Sequence, residues 1–220
     1  MVTPKSKRAI IIKAAVFGGL MLLVAGLLVG IFMVGRQIFD REAEYRVARR
    51  EYAQLRGHVN SALDHLQDGG IDFDALSAIN PRIIGWIEVP DTSISYPVVQ
   101  GSDNHYYLYH VFSGVRNSSG TVFLDYRDSS DFSGHARLYG HNMRDGTMFA
   151  PLLRWPGDSF TIYTVDGLTL TYRVVFRRVV CVADDIWAKR DDGMLLVTCV
   201  TGRPDVRLVT WARLESEVRQ

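Results

Sequence analysis

Leu168-Thr169-Leu170-Thr171-Tyr172-Arg173-Val174-Val175-Phe176 decides the fold class. Leu168, Leu170, Tyr172, Val174 and Phe176 alternate with Thr169, Thr171 and Arg173. A period of two puts one set of side chains on each face of an extended chain, the pattern of a half-buried β-strand. Seven further segments are strand candidates by composition: Ile83–Val89, Ile94–Val99, Thr121–Leu124, Ala136–Tyr139, Ser159–Thr164, Met194–Cys199 and Arg207–Leu214. They are rich in Val, Ile, Tyr, Thr and Trp and are divided by turn signals such as Pro90-Asp91 and Asp166-Gly167. The strand around Leu168 is expected to run on to Val182. Eight strands with few helical patterns between them predict a mainly β fold, an eight-stranded closed or nearly closed β-barrel.

Upstream the character changes. Phe73–Ile79 reads as a brief helix closed by Asn80-Pro81. Residues 40–67 read as a longer one, with Tyr45, Ala48, Tyr52, Leu55, Val59, Ala62 and Leu66 at steps of three or four and Gly69-Gly70 as its stop. With only about three heptads, this stripe is read as a helix lying on its own domain rather than a coiled coil. Ala14–Val34 is a run of 21 residues without a charge. At about 1.5 Å per residue it covers the roughly 30 Å hydrocarbon core of a bilayer. The run exceeds the usual apolar region of a signal peptide and no A-x-A site follows, so it reads as an uncleaved anchor. Basic residues flank it on both sides, Lys5, Lys7, Arg8 and Lys13 before and Arg36, Arg41, Arg46, Arg49 and Arg50 after, so their count leaves the orientation open.

Composition removes several function classes. With 25 basic and 24 acidic residues, net +1, the chain lacks the charge of a polyanion binder, and nucleic acid is not an expected partner. Its two cysteines form no CxxC, and its six histidines show no HExxH spacing, so no metal motif is present.

Cys199 ends the apolar strand Leu195-Leu196-Val197-Thr198 and precedes the turn-rich Thr201-Gly202-Arg203-Pro204-Asp205. A thiol at a strand end can be reached by substrate. Cys181, within Val179-Val180-Cys181-Val182, reads instead as a buried small hydrophobe in mid-strand. A cysteine nucleophile is mostly thiol at neutral pH and needs a cationic neighbour, and a departing amine needs a proton. His141, in the turn Gly140-His141-Asn142 after Arg137-Leu138-Tyr139, is the best-placed histidine. His58 and His65 lie on the helix, and His105, His110 and His135 fall in polar loop-like stretches. Arg207 opens the strand after Cys199 and offers a permanent charge for a developing oxyanion, while Arg203 lies in the turn.

These residues resemble the sortase family, class B. Leu138-Tyr139-Gly140-His141-Asn142-Met143, followed by Arg144-Asp145-Gly146-Thr147-Met148-Phe149, is similar to the segment around that class's catalytic histidine. Leu196-Val197-Thr198-Cys199 resembles the end of its Thr-Leu-x-Thr-Cys signature, with Leu195 in place of the first threonine. Arg207-Leu208-Val209 resembles its arginine-bearing strand. Ile84-Gly85-Trp86-Ile87, Tyr96-Pro97-Val98-Val99-Gln100 and Phe123-Leu124-Asp125-Tyr126 also fit.

The resemblance implies an N-terminal cytoplasmic tail (1–13), a membrane anchor (14–34), a juxtamembrane helical segment (35–80) and an extracytoplasmic catalytic barrel (81–220) on a Gram-positive type cell. It implies Cys199 as nucleophile, His141 as acid/base and Arg207 as oxyanion partner, with Leu196, Thr198 and Asn142 contacting substrate. The reaction implied is cleavage of a C-terminal sorting signal after threonine and transfer to an amine of the peptidoglycan precursor or of another protein. No metal or organic cofactor is implied. One departure stands out: only Ala183–Gly193 fills the gap where class B members usually carry a long helix-containing insertion that forms part of the signal groove. Two other readings remain, a cell-wall thiol peptidase that only hydrolyses and a non-catalytic peptide-binding barrel. Papain-like hydrolases place the cysteine before the histidine, the reverse of the order here.

Overall fold

The β-rich half of the chain closes on itself. In the computed structural model, which describes residues 4–63, 70–184 and 192–219, eight strands follow one another: β1 Ile83–Glu88, β2 Ser95–Gln100, β3 Val122–Leu124, β4 His135–Tyr139, β5 Ser159–Thr164, β6 Leu168–Cys181, β7 Gly193–Val200 and β8 Arg203–Arg219. Their order around the closed barrel is β1-β2-β3-β4-β7-β8-β6-β5. Closure leaves no unpaired sheet edge. Two pairs are parallel, β2 with β3 and β4 with β7. Parallel neighbours need long connections. The β2–β3 connection carries a 3₁₀ turn, Tyr106–Leu108, and the β4–β7 excursion passes through β5 and β6.

The eight expected strands are all present, with one boundary that matters. β8 runs from Arg203 to Arg219 rather than from Arg207 to Leu214, because it pairs with β6 from Leu168↔Arg219 to Cys181↔Val206 and with β7 back to Val200↔Arg203. The barrel interior is filled by large apolar side chains, Trp86, Phe160, Ile162, Leu138 and Leu196 among those fully buried. Burial of each such group is worth roughly 1.5–3 kcal/mol.

Helix α1 spans Pro4–Leu63 without a break, where the sequence reading separates an anchor from a later helix. No proline interrupts residues 5–63, so nothing forces a break. Chain contacts divide the molecule into two units, Met1–Ala43 and Glu44–Gln220. In the first, every residue from Phe17 to Glu42 is exposed, and among the described residues this is the one helix long and apolar enough to cross a membrane. In the second, Ala48, Tyr52, Leu55 and Val59 are buried in the same core as the barrel residues, with Tyr45 packed beside them. The stripe is therefore a packing face of its own domain, as expected; Leu66 and the side chain of Ala62 lie outside the described residues. Helix α2, Phe73–Ile79, is capped by Asp72, whose side chain accepts from the Ala75 N–H at 2.9 Å.

Candidate active site

β7 lies between β4 and β8, and its side chains alternate between the barrel interior and the outer face. Met194 and Leu196 join the interior core, while Leu195 and Val197 pack with Val180 and Val209 in a separate outer cluster. Cys199 continues the outer set and is exposed, one residue before the strand ends. Leu196 is fully buried on the opposite face and packs in the core. Thr198 is also nearly buried, and its hydroxyl donates to the Gly140 carbonyl at 2.7 Å. That bond ties the cysteine strand to the start of the histidine turn.

Register brings the three chemical groups to one level. Tyr139 pairs with Val197, and the Gly140 N–H donates to the Val197 carbonyl at 3.2 Å. The offset is 197 − 139 = 58, and 199 − 141 is the same, so His141 leaves β4 abreast of Cys199. On the other side Cys199 pairs directly with Arg207. The register then shifts, and Val200 pairs with Arg203 across the turn Thr201-Gly202, where Gly202 has φ +74°. Pro204–Val206 bulges out as a result. Its carbonyls turn toward Arg207, whose Nη1 donates to Pro204 and Val206, each at 2.8 Å. Arg203 is exposed beside Val200.

His141 is half-buried, and its Nε2 lies 2.8 Å from the Leu108 carbonyl oxygen. A carbonyl only accepts, so Nε2 carries a hydrogen and the neutral ring keeps Nδ1 as its basic nitrogen. Asn142 Nδ2 donates to the Cys199 carbonyl and to Thr201 Oγ1, each at 3.0 Å. Its amide N–H groups are thus engaged in joining the histidine turn to the end of β7. His141, Cys199 and Arg207 line one groove of about 510 Å³, together with Leu108, Tyr139 and Val182.

The groove also reaches a buried ionic network. Asp125 is fully buried; its Oδ2 accepts from Arg127 Nη2 at 2.7 Å, Asn104 Nδ2 at 2.9 Å and the Tyr139 hydroxyl at 3.1 Å. Arg137 bridges to Asp128 through Nε and Nη2 and lies 3.7 Å from Asp125. Burial alone would raise the Asp125 carboxyl. The hydrogen bonds from Arg127 and Asn104 and the nearby charge of Arg137 outweigh it and hold that carboxyl well below the usual range. Tyr139 is pushed upward, first by burial and then by the Asp125 charge. Among the described residues no three His, Cys, Asp or Glu side chains group as a metal site would need.

Residues 87–215 match the family described as Sortase domain. The chain belongs to the sortase family. It is similar to sortase B of Listeria monocytogenes, 39% identical over 88 residues, and to sortase B of Staphylococcus aureus, 33% identical over 136 residues. The matches cover 40% and 61% of this chain but only 36% and 56% of those relatives. The chain is also similar to the crystal structure of sortase B from Bacillus anthracis, with a TM-score of 0.66 and 25% identity over 81% of this chain and 99% of that one. It is a class B sortase.

Several placements in this sortase differ from the sequence reading. Cys181 is exposed, not buried: it is the last residue of β6, one step past Val180 of the outer cluster, and its N–H donates to Asp184. Of the other histidines, His110 is stacked on Tyr106 at 4.0 Å and His135 is buried at the start of β4; the side chains of His58 and His65 lie outside the described residues. The sequence reading passes over Asn104, Arg127 and Arg137. One signal was available for Arg137, a charge in mid-strand between Ala136 and Leu138, which survives burial only with partners. The short connection before β7 falls largely on residues 185–191, outside the described residues.

Proposed function

We propose that this sortase is a membrane-anchored cysteine transpeptidase. The observation that carries the reading is the register of three adjacent strands, β4, β7 and β8, whose ends bring imidazole, thiol and guanidinium to the lining of one groove. Each is the residue type that acyl transfer requires. Cys199 gives its proton to Nδ1 of His141 and, as thiolate, attacks the carbonyl of a threonine in a C-terminal sorting signal. The carbonyl π electrons move to oxygen, where Arg207 stabilises the charge. Two backbone carbonyls hold only its Nη1, and a guanidinium carries five N–H donors, so donors remain. When the tetrahedral intermediate collapses, the C–N bond breaks and the amine leaves with a proton from His141. Because Nε2 is committed to Leu108, Nδ1 is the nitrogen that gives this proton and later takes one back.

The thioester is resolved by an amine from a peptidoglycan precursor or another protein. The incoming nitrogen forms the amide, His141 accepts its proton, and the thiolate departs. Residues 14–34 hold the enzyme in the membrane, with 1–13 in the cytoplasm, 35–80 as the juxtamembrane helical segment and 81–220 as the catalytic barrel outside. The exposed apolar surface of the first unit supports this, since a helix of that length and composition suits a bilayer.

The test is product analysis of sorting-signal peptides with and without an added amine. The expected result is transfer to the amine, abolished by Cys199→Ala with the fold intact and by His141→Ala. Products of water alone would make the chain a thiol peptidase, and binding without turnover would make it a peptide-binding module. Retained activity in Cys199→Ala would end the assignment.

A further inference from the structure

The loop between β4 and the 3₁₀ turn Ala150–Leu153 carries His141, and helix α1 holds it from outside. Within the loop, the Phe149 N–H donates to the His141 carbonyl at 2.8 Å, and Asn142 bridges Met148. These bonds fix its internal shape, and its root is tied to the barrel by Asn142, Gly140 and the His141–Leu108 contact. Two further contacts hold its far end. Asp145, near the tip, accepts from the Thr147 N–H at 3.2 Å and the Thr147 hydroxyl at 2.6 Å through Oδ1, and from Arg49 Nη1 of α1 at 3.0 Å through Oδ2. The Met148 N–H donates to the Tyr96 hydroxyl at 3.1 Å, and Tyr96 is itself gripped by α1, edge-on to Tyr52 at 5.2 Å and under Arg56 at 5.8 Å. Arg49, Tyr52 and Arg56 stand at i, i+3 and i+7, one face of the helix. Met148 has φ +55°, a conformation that an unbranched L residue keeps only where its surroundings over-determine it.

We propose that Arg49 is a positioning residue for the proposed catalytic histidine: through Asp145 it sets the orientation of the loop and so of His141 against Cys199. The inference rests on the thiol–imidazole reading above. The Asp145 side chain is only 11% exposed and Arg49 is 40% exposed, so the pair is shielded enough to orient a loop and still accessible to substitution. α1 thereby does more than fill the core. It touches the loop that carries His141.

The experiment measures alkylation of Cys199 by iodoacetamide at neutral pH in the full chain in detergent micelles, read by mass spectrometry on the Cys199 peptide, so no sorting signal need be known. His141→Ala is expected to slow it, since a neighbouring imidazolium favours thiolate. Arg49→Gln and Asp145→Asn are each expected to slow it about three- to tenfold, the usual span for coupling through packed contacts. Arg49→Lys should recover most of the rate, and the reversed pair Arg49→Asp/Asp145→Arg should return to within about twofold. If Arg49→Gln fails to fold, Asp145→Asn reads the same tie from the loop. Wild-type rates in both single variants, with His141→Ala slow, would overturn the positioning role and leave the thiol–imidazole reading standing. Slowing that neither Arg49→Lys nor the reversed pair relieves would also overturn it, as a merely structural loss. An unchanged rate in His141→Ala would sink the pairing itself and this proposal with it.

Discussion

Arg203 and Arg207 are four residues apart, and a two-residue turn decides which of them faces the thiol. The register shift after Cys199 gives Arg203 to Val200 and Arg207 to Cys199. Arg207→Ala is therefore expected to lower turnover of a sorting-signal peptide by about 10²–10³-fold, the cost of one oxyanion donor. Arg203→Ala should stay within about twofold; the reverse order in steady-state rates would reassign the site. Asp125 makes a prediction about stability. Its carboxyl titrates lower in the folded chain than in the unfolded one. It therefore contributes stability that is fully present above the unfolded value near 4 and is lost as pH falls below it toward the folded value. Asp125→Asn is expected to destabilise the barrel at pH 7 by about 2–3 kcal/mol. This is less than the ~3–5 kcal/mol of a fully buried pair, because the Arg127 side chain is 54% exposed and can reach water. Urea melts of both proteins from pH 7 to pH 3 should show the gap narrowing as the pH drops.

At the scale of elements, the strands were legible from local signals, alternation in one case and β-branched and aromatic composition between turns in the others. Leu168–Phe176 could be read without any neighbour. What no strand reveals is which others it meets, and the site depends on that. β4 and β7 are parallel neighbours separated in the chain by β5 and β6, so the alignment of His141 with Cys199 became visible only with the pairing. Cys181 was misread for a related reason: four apolar residues in a row conceal which face each takes, and here β6 ends at the cysteine and leaves it exposed. Likewise the family signature identified Leu196 and Thr198 without saying that both lie on the inner face of β7. The histidine turn gives the prediction at this scale. A Cβ on Gly140 would stand 2.6 Å from the fully buried Phe149 ring, too close for either to remain in place. Gly140→Ala is expected to cost about 1–3 kcal/mol by overpacking and to lower turnover further by displacing His141. Thermal melts beside rate measurements check both, and a variant with native stability and native turnover would show that the ring yields freely.

For the whole molecule, the question is where the catalytic unit begins, because one continuous helix serves two environments. Up to Glu42 every described side chain of α1 from Phe17 on is exposed; beyond it, Ala48, Tyr52, Leu55 and Val59 belong to the core. Tyr52 also donates to the Gly120 carbonyl, and Asn117 Nδ2 donates to the Glu44 carbonyl at 2.9 Å. At about 1.5–3 kcal/mol for each large side chain, Tyr52, Leu55 and Val59 together contribute roughly 4.5–9 kcal/mol. That is comparable to the entire net stability of about 5–15 kcal/mol expected for a domain. A chain starting at Glu44 is therefore expected to fold as a soluble domain and to unfold cooperatively. A chain starting at Gly70 should lose that cooperative transition, although all eight strands and all three proposed catalytic groups remain in it. Circular dichroism melts of the two truncations decide the matter. Equal transitions would mean that the helix is held by the barrel without supporting it, and the tie from Arg49 to the histidine loop would then have little to act through.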